Sequence, residues 1–366
     1  MKKTKLIAIL ALVLVAAMLL GGCGGGKTGG KSDDKVYTFK IDYPNPENSG
    51  AYIALTEWSD MLKEKSGGRL DMQICANGQL GSIKDCVSNC VGGLTDGFWS
   101  AMTIYAGLYR PAEALTLPMM GVHNADVASA TLTAMLEQTD YYTESLSNLY
   151  VVTLHSATTM PIGFKDSTPV TSMADLKGLN MRVTGGFNSN WVTAIGANPV
   201  NAGSNEGYEY LEKGIINSYL YDWDKIQSGA LLEQTGYIVD AHCCASELLF
   251  CLNKDKYDAL PDDLKAMIDD TQQWFRDRIG QIYAEQRDEM VAKAEAAGIT
   301  VEEINPEFNA ELTAAAEDVW AAWIQEMNEA GYDGQGIFDK TREFIEYYNG
   351  VYNYYNCSNR IQAIGN

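Results

Sequence analysis

Between residues 37 and 100 the chain alternates strand and helix patterns, and the connections between them are too short to reach anything but a neighbouring element. Residues 37–43 (YTFKIDY) alternate like a half-buried strand. Ala51, Leu55, Trp58 and Leu62 then fall on one helical face, and Gly67-Gly68 stops the helix. Leu70–Cys75 reads as a second strand, Ser82 opens a helix ending near Gly92-Gly93, and residues 96–100 (DGFWS) read as a third strand. The order β-α-β-α-β with short loops predicts a parallel sheet with helices on its faces, an α/β fold.

The theme repeats. Residues 124–146 read as helix and Leu149–His155 as strand, and a second strand covers 179–184. Helices at 190–195 and 207–213 precede a strand at 217–222. Residues 237–252 read as one long strand-rich crossing, and Pro261 opens a helix running to about Ala297, as proline does in a first turn. Two further helices cover 306–330 and 338–348, and the tyrosine-dense tail reads as packing on the body. The folded part exceeds the ~250–300 residues at which one core stops growing, so two lobes joined by several crossings are expected.

The N-terminus reads differently. Lys2, Lys3 and Lys5 precede an apolar run from Leu6 to Leu20, too short for a membrane span of about 20 residues. Leu20-Gly21-Gly22-Cys23 resembles a lipobox, which makes residues 1–22 a lipoprotein signal peptide and Cys23 the lipidated residue. Residues 23–35 are glycine-rich and polar and read as a flexible tether. The chain carries a net charge of −21, more negative once the leader lysines leave. That balance excludes nucleic acid or an anionic membrane surface as the main partner, and an anionic ligand needs its own local cation.

Seven further cysteines, Cys75, Cys86, Cys90, Cys243, Cys244, Cys251 and Cys357, read chiefly as small buried apolar residues. One disulfide is the next alternative, and the spacing shows no zinc pattern. Phosphate-loop, dinucleotide, zinc-protease and nucleophile-elbow motifs are absent, so no catalytic residue, metal ligand or cofactor is assigned. Asp222 and Asp224 are too close in sequence to face each other as acid and base, and read as acids at a solvated helix N-terminus.

Residues 176–186 (LKGLNMRVTGG) place one arginine in a short apolar strand that runs into two glycines. The guanidinium of Arg182 is always charged, and its planar fork matches a carboxylate bidentately. Gly185 and Gly186 let a ligand approach the backbone. The bland alternative is an ion pair between Arg182 and an acid across the lobe interface.

Several stretches together resemble the TRAP-transporter solute-binding proteins, the family of C4-dicarboxylate and sialic-acid receptors. They are Ser66-Gly67-Gly68-Arg69, Asn77-Gly78-Gln79-Leu80-Gly81, Leu117-Pro118, the DLKGLNMRV run ending at Val183, Gly196-Ala197-Asn198-Pro199, residues 208–216, and Leu252-Asn253-Lys254 through Leu264. The resemblance runs from about Tyr37 to about Trp323. It implies a two-lobed periplasmic-binding-protein-like α/β fold with a ligand cleft between the lobes and a long C-terminal helix. Lobe I is expected from 36–157 with about 247–285, lobe II from 158–246 with about 286–350, and a tail from 351–366.

The resemblance makes Arg182 the carboxylate anchor and brings in Asn45, Trp99, Ser100, Gly185, Tyr221 and Asp222 as ligand contacts. It implies an extracytoplasmic receptor, not an enzyme, that passes a small organic acid to the membrane permease of an ion-gradient-driven TRAP transporter, and the lipobox-like leader adds a lipid anchor to the cell membrane. An ATP-driven importer or a membrane sensor are alternative partners, and an enzyme on the same fold is an alternative of another class. The chain departs from the family where many members carry a second basic residue: residues 158–164 (TTMPIGF) hold none. One arginine and several aromatics point to a monocarboxylate with an apolar, aromatic or hydroxylated body.

Overall fold

The computed structural model describes residues 35–105, 107–203 and 205–352. Cys23, the leader and Cys357 lie outside them. In chain order the strands are β1 (Tyr37–Asp42), β2 (Leu70–Cys75), β3 (Gly97–Ala101), β4 (Leu149–His155), β5 (Ile162–Phe164), β6 (Asn180–Val183), β7 (Asn198–Asn201), β8 (Ser218–Leu220), β9 (Tyr237–Asp240), β10 (Leu248–Asn253) and β11 (Thr300–Glu303). The helices that position the site are α1 (Gly50–Lys65), α2 (Ala125–Gln138), α3 (Phe187–Ala194), α4 (Gly207–Glu212), α5 (Trp223–Ser228), α6 (Gln272–Ala296), α7 (Pro306–Glu329) and α8 (Gly334–Val351).

The strands form two sheets, ordered β2-β1-β3-β10-β4 and β11-β9-β5-β8-β6-β7. In the first, β1 runs parallel to β2 and β3, as the local β-α-β-α-β order requires. The sheet is nevertheless mixed, because β10 returns from the second sheet and pairs antiparallel with β3 and β4. The expected single crossing at 237–252 is therefore two strands, one in each sheet. Between them His242 adopts φ 47°, a left-handed conformation that a strand does not contain. His242, Cys243 and Cys244 thus do not alternate across a sheet as their sequence suggests.

Two long helices predicted from periodicity are also interrupted. Residues 124–146 break after Gln138, where Thr139 is extended. The stretch after Pro261 is two helices, Asp262–Asp269 and α6. Between them the Thr271 hydroxyl donates to Ile268 O and accepts from the Trp58 indole, fixing a turn where periodicity alone sees none. The C-terminal helix α8 packs on α2 and α7. Among the described residues no helix is long and apolar enough to cross a membrane.

Strand alternation distributes the side chains over three cores. One face of each sheet contributes to a shared core, with Phe98, Leu154 and Leu249 from the first sheet and Ile162, Met181, Val183 and Leu220 from the second. The opposite face of the first sheet packs Trp99, Val152 and Phe250 against α1 and the N-terminal half of α6. The opposite face of the second packs Tyr219 and Ile238 against Trp223 and Ile226 of α5 and against Met290 and Ala294 of α6. Helix α6 therefore spans both outer cores. The six described cysteines are unpaired, and all but Cys75 are buried. Burial pushes the Cys86, Cys90 and Cys244 thiols up to about 12, which keeps them neutral.

Gly163 of β5 lies opposite Tyr219 of β8. A Cβ there would stand 2.1 Å from the Tyr219 ring, which is held by a hydrogen bond between Tyr219 Oη and Thr235 Oγ1. Gly163→Ala is expected to lower the unfolding free energy by about 1–3 kcal/mol through overpacking. Urea unfolding checks this, and adding Tyr219→Leu should make the double variant lose less than the sum of the two single losses.

Candidate ligand-binding site

Strand β6 lies between β7 and β8, with Arg182 opposite Val200 on one side and Tyr219 on the other. Met181 and Val183 point into the shared core, so alternation sends Arg182 to the outer face, beside Tyr219. There it is 2 % exposed. Its Nε and Nη2 donate to Ala202 O at 3.2 and 3.0 Å, and Nη1 donates to Leu220 O at 3.0 Å. The guanidinium carbon lies 3.8 Å from the centre of the Tyr221 ring. That ring is itself backed by Gly207 of α4, where a Cβ would meet it at 2.7 Å.

Among the described residues no carboxylate stands within ion-pair distance of Arg182. Burial lowers its pKa, opposed by Tyr221 in direct contact and by the charges of Asp222 and Glu206. A buried guanidinium with no acid in ion-pair range among the described residues carries a charge that the fold leaves uncompensated. The ion pair with an acid across the lobes, the bland alternative, is not formed. Gly185 and Gly186 follow with φ 107° and 60°, left-handed values that favour glycine and turn the chain into α3.

The first sheet supplies aromatic surface. Trp99 Nε1 donates to His155 Nε2 at 2.8 Å, and its ring lies 5.1 Å from that of Tyr43. Tyr43 in turn approaches Tyr52, and His155 approaches Tyr283 of α6. Burial pushes His155 down to about 3, so it is a neutral acceptor that fixes the Trp99 ring. Ser100 is a different matter. One residue along β3, it faces the other way and accepts from Tyr105 Oη at 3.0 Å. Adjacent strand residues cannot both face one cleft, so Ser100 is not beside Trp99's ring. Asn45 sits in the loop after β1, where its carbonyl accepts from Asn77 N and its side chain reaches Tyr43.

The two sides meet at the start of α5. Asp222 caps that helix by accepting from Lys225 N at 3.0 Å. Asp224 accepts from Gly50 N of α1 at 2.8 Å. These acids do sit at a helix N-terminus, but facing the other sheet's helix and not bulk solvent. Burial raises both, Asp224 to about 6 with Asp222 as the second cause. Beside them a small cavity of about 20 Å³ is lined by Trp223, by Asn124 and Ala125 at the start of α2, and by Thr158, Thr159 and His242 from the crossings.

The structure thus brings Arg182, Gly185, Tyr221 and Asp222 together on the second sheet and sets Trp99 and Asn45 on the first. Sequence reasoning missed Tyr43, His155, Asp224 and Tyr283, whose roles come from residues distant in the chain. It noted the missing second cation at 158–164; β5 shows the Tyr219 ring filling the space over Gly163. Asp240, His242 and Glu303 have ligand-type atoms within 4.8 Å of one another, but Arg287 Nη2 already holds Asp240 at 2.7 Å and Glu303 at 3.2 Å. A guanidinium occupies the charge position that a metal would need.

Residues 42–326 match the family of bacterial extracellular solute-binding proteins, family 7 (DctP). The chain belongs to this family. It is an extracytoplasmic solute receptor, and its two mixed sheets are the fold of that family's solved structures. The receptor is 25 % identical over 269 residues, 72 % of its length and 80 % of the relative's, to the 2,3-diketo-L-gulonate-binding periplasmic protein of Escherichia coli K12. It superposes with a TM-score of 0.77, at 23 % identity and covering 86 % of this chain and 99 % of the other, on a TRAP solute-binding protein from Rhodoferax ferrireducens in complex with copurified benzoate. A marine-metagenome TRAP solute-binding protein specific for aromatic acid ligands, in complex with metahydroxyphenylacetate, gives 0.78 at 24 % identity, covering 86 % and 100 %.

His155 also makes a prediction about acid stability. It is neutral in the fold down to about pH 3, whereas an unfolded histidine takes a proton near pH 6.5. The unfolded state therefore binds the extra proton, and stability falls as pH drops below 6.5, by about 1.4 kcal/mol per unit for this group. Unfolding free energies measured from pH 7 to 4 should fall less steeply in His155→Gln, which keeps an acceptor for Trp99 but does not titrate.

Proposed function

We propose that this receptor captures a small monocarboxylic acid with an aromatic or hydroxylated body, holds its carboxylate on Arg182 and delivers it to the membrane permease of a TRAP transporter. The observation that carries the reading is the burial of Arg182 with no carboxylate in ion-pair range among the described residues. A ligand carboxylate would supply the missing charge and use guanidinium donors left over by Ala202 and Leu220. Tyr221 and Trp99 offer aromatic surface from opposite sides, and Gly185 leaves the backbone open. Asn45 borders the same cleft on the first side. Ser100 is read here as support for Tyr105.

In this reading the units around the two sheets are the lobes, with the boundaries expected from the sequence, and ligand contacts from both favour closure. A second carboxylate would meet Asp222 and Asp224 and no second arginine, which disfavours dicarboxylates. Hydroxyl groups would find acceptors in the same two acids, a feature that suits hydroxylated acids as well as plain aromatic ones. Relatives and neighbours that bind benzoate, metahydroxyphenylacetate or 2,3-diketo-L-gulonate are monocarboxylate receptors and support the same class. Cys23, as the lipidated residue, would anchor the receptor to the cell membrane. The family and the absence of any assigned nucleophile favour a receptor over an enzyme.

A thermal-shift screen of the protein with benzoate, 3-hydroxybenzoate and succinate tests the reading. A ligand at 100 times its Kd stabilises by about 2.7 kcal/mol, which is readily seen. The two monocarboxylates are expected to raise Tm and succinate to leave it unchanged. Arg182→Ala should abolish the shift, and Arg182→Lys, which keeps the charge but loses the fork, should retain a small part of it. A shift that survives Arg182→Ala would make this arginine structural.

A further inference from the structure

Helix α1 runs for 16 residues on the first sheet, yet nothing in its own sequence caps it. Ser49 occupies the N-cap position with extended backbone but makes no capping bond. Its hydroxyl instead donates to Pro46 O and contacts Tyr43 Oη. No acid lies in the first turn of the helix. The cap is supplied by Asp224, 174 residues away, whose Oδ1 accepts from Gly50 N at 2.8 Å. Asp224 rides on α5, which packs in the second sheet's outer core, whereas α1 packs in the first sheet's.

Gly50 is required for this approach. A Cβ there would stand 2.7 Å from Gln286 Oε1 and 2.9 Å from the Tyr283 ring of α6. Asp222 is already committed to capping α5. Two acids two positions apart in the sequence thus serve two helix N-termini, one in each half of the molecule.

We propose that Asp224 is a positioning residue for closure: its carboxyl group caps α1 from the opposite side of the cleft and so ties the two sheet units together when ligand is captured. This inference rests on the receptor reading only for its ligand measurements. The contact also makes capture proton-linked. Asp224 is faced by Asp222 and Lys225 on its own element, by Tyr43 from the β1 loop, and by Tyr283 and Gln286 from α6. Lys225 is the one cation in that set, and burial together with Asp222 outweighs it.

Gln286 reaches Asp224, and its Oε1 is buried with no donor among the described residues. That Gln286 contact donates to the carboxylate and favours its ionised form, but burial and Asp222 outweigh it. The sign follows. The carboxyl group titrates near 6 when the contact is made and near its ordinary 3.8 when it is exposed, so the contact strengthens as pH falls from above 6 toward 4.

Hydrogen exchange and calorimetry on the full chain test this. The amides at the start of α1 should be protected in wild type and in Asp224→Asn, whose amide oxygen still accepts from Gly50 N. They should exchange roughly tenfold faster in Asp224→Ala. Benzoate is expected to bind about tenfold more tightly at pH 5 than at pH 7.5 in wild type, with proton uptake seen as buffer-dependent heat. In Asp224→Asn that ratio should fall to roughly threefold or less, the remainder belonging to Asp222. Gly50→Ala should loosen the same amides if Asp224→Ala fails to fold. Unchanged protection in Asp224→Ala overturns the cap, and a pH ratio of wild-type size in Asp224→Asn overturns the proton linkage. If benzoate binds at no pH while the exchange pattern holds, the ligand class fails and the cap stands.

Discussion

The burial of one guanidinium organises the second half of this molecule. Arg182 is withdrawn from water in a chain with a large excess of acids, yet among the described residues no acid is in ion-pair range, and its contacts include two carbonyl oxygens and a tyrosine ring. Dehydrating a charge without a counter-charge is unfavourable, so the surrounding structure must be built to hold it. The neighbouring strands present Ala202 and Leu220 carbonyls, Gly207 gives Tyr221 room to stack, and Tyr219 fills the sheet beside it.

The rest of the architecture joins the sheet that carries that charge to the other sheet. Strand β10 leaves the second sheet to sit between β3 and β4, and β5 leaves the first to enter the second. Helix α6 spans both outer cores and carries Tyr283 and Gln286 to their junction. The chain therefore crosses between the units at several points, the arrangement from which hinge closure is built. Aromatic rings line the first side, with neutral His155 locking Trp99, and acids at α5 line the border. These are the features on which the proposed capture of a small organic acid rests.

How legible this was depends on the range of each interaction. The first three strands and their helices were readable because their pairing follows chain order. The Arg182 strand was readable because its apolar flanks and two glycines are local signals. The breaks at Thr139 and Thr271 were not, since a helical stripe continues across each and a side-chain bond or an extended residue ends the helix. The exact division of the 237–252 crossing was not readable from its own residues for a related reason. A long apolar stretch looks the same whether it serves one sheet or two, and only His242 in a left-handed conformation shows where it divides.

The sequence by itself determined the α/β class, the family, the order of most elements and the residue that carries the positive charge. Those are consequences of periodicity, punctuation and side-chain chemistry, all of which act over a few residues. Tertiary structure alone decided that Trp99 and not Ser100 shares a face with Tyr43, that Tyr219 fills the space over Gly163, and that Asp224 caps a helix 174 residues away. Each depends on which strand or helix lies across from it. A contact between residues so far apart leaves no periodic trace, because either partner would look the same in the sequence if the other were absent.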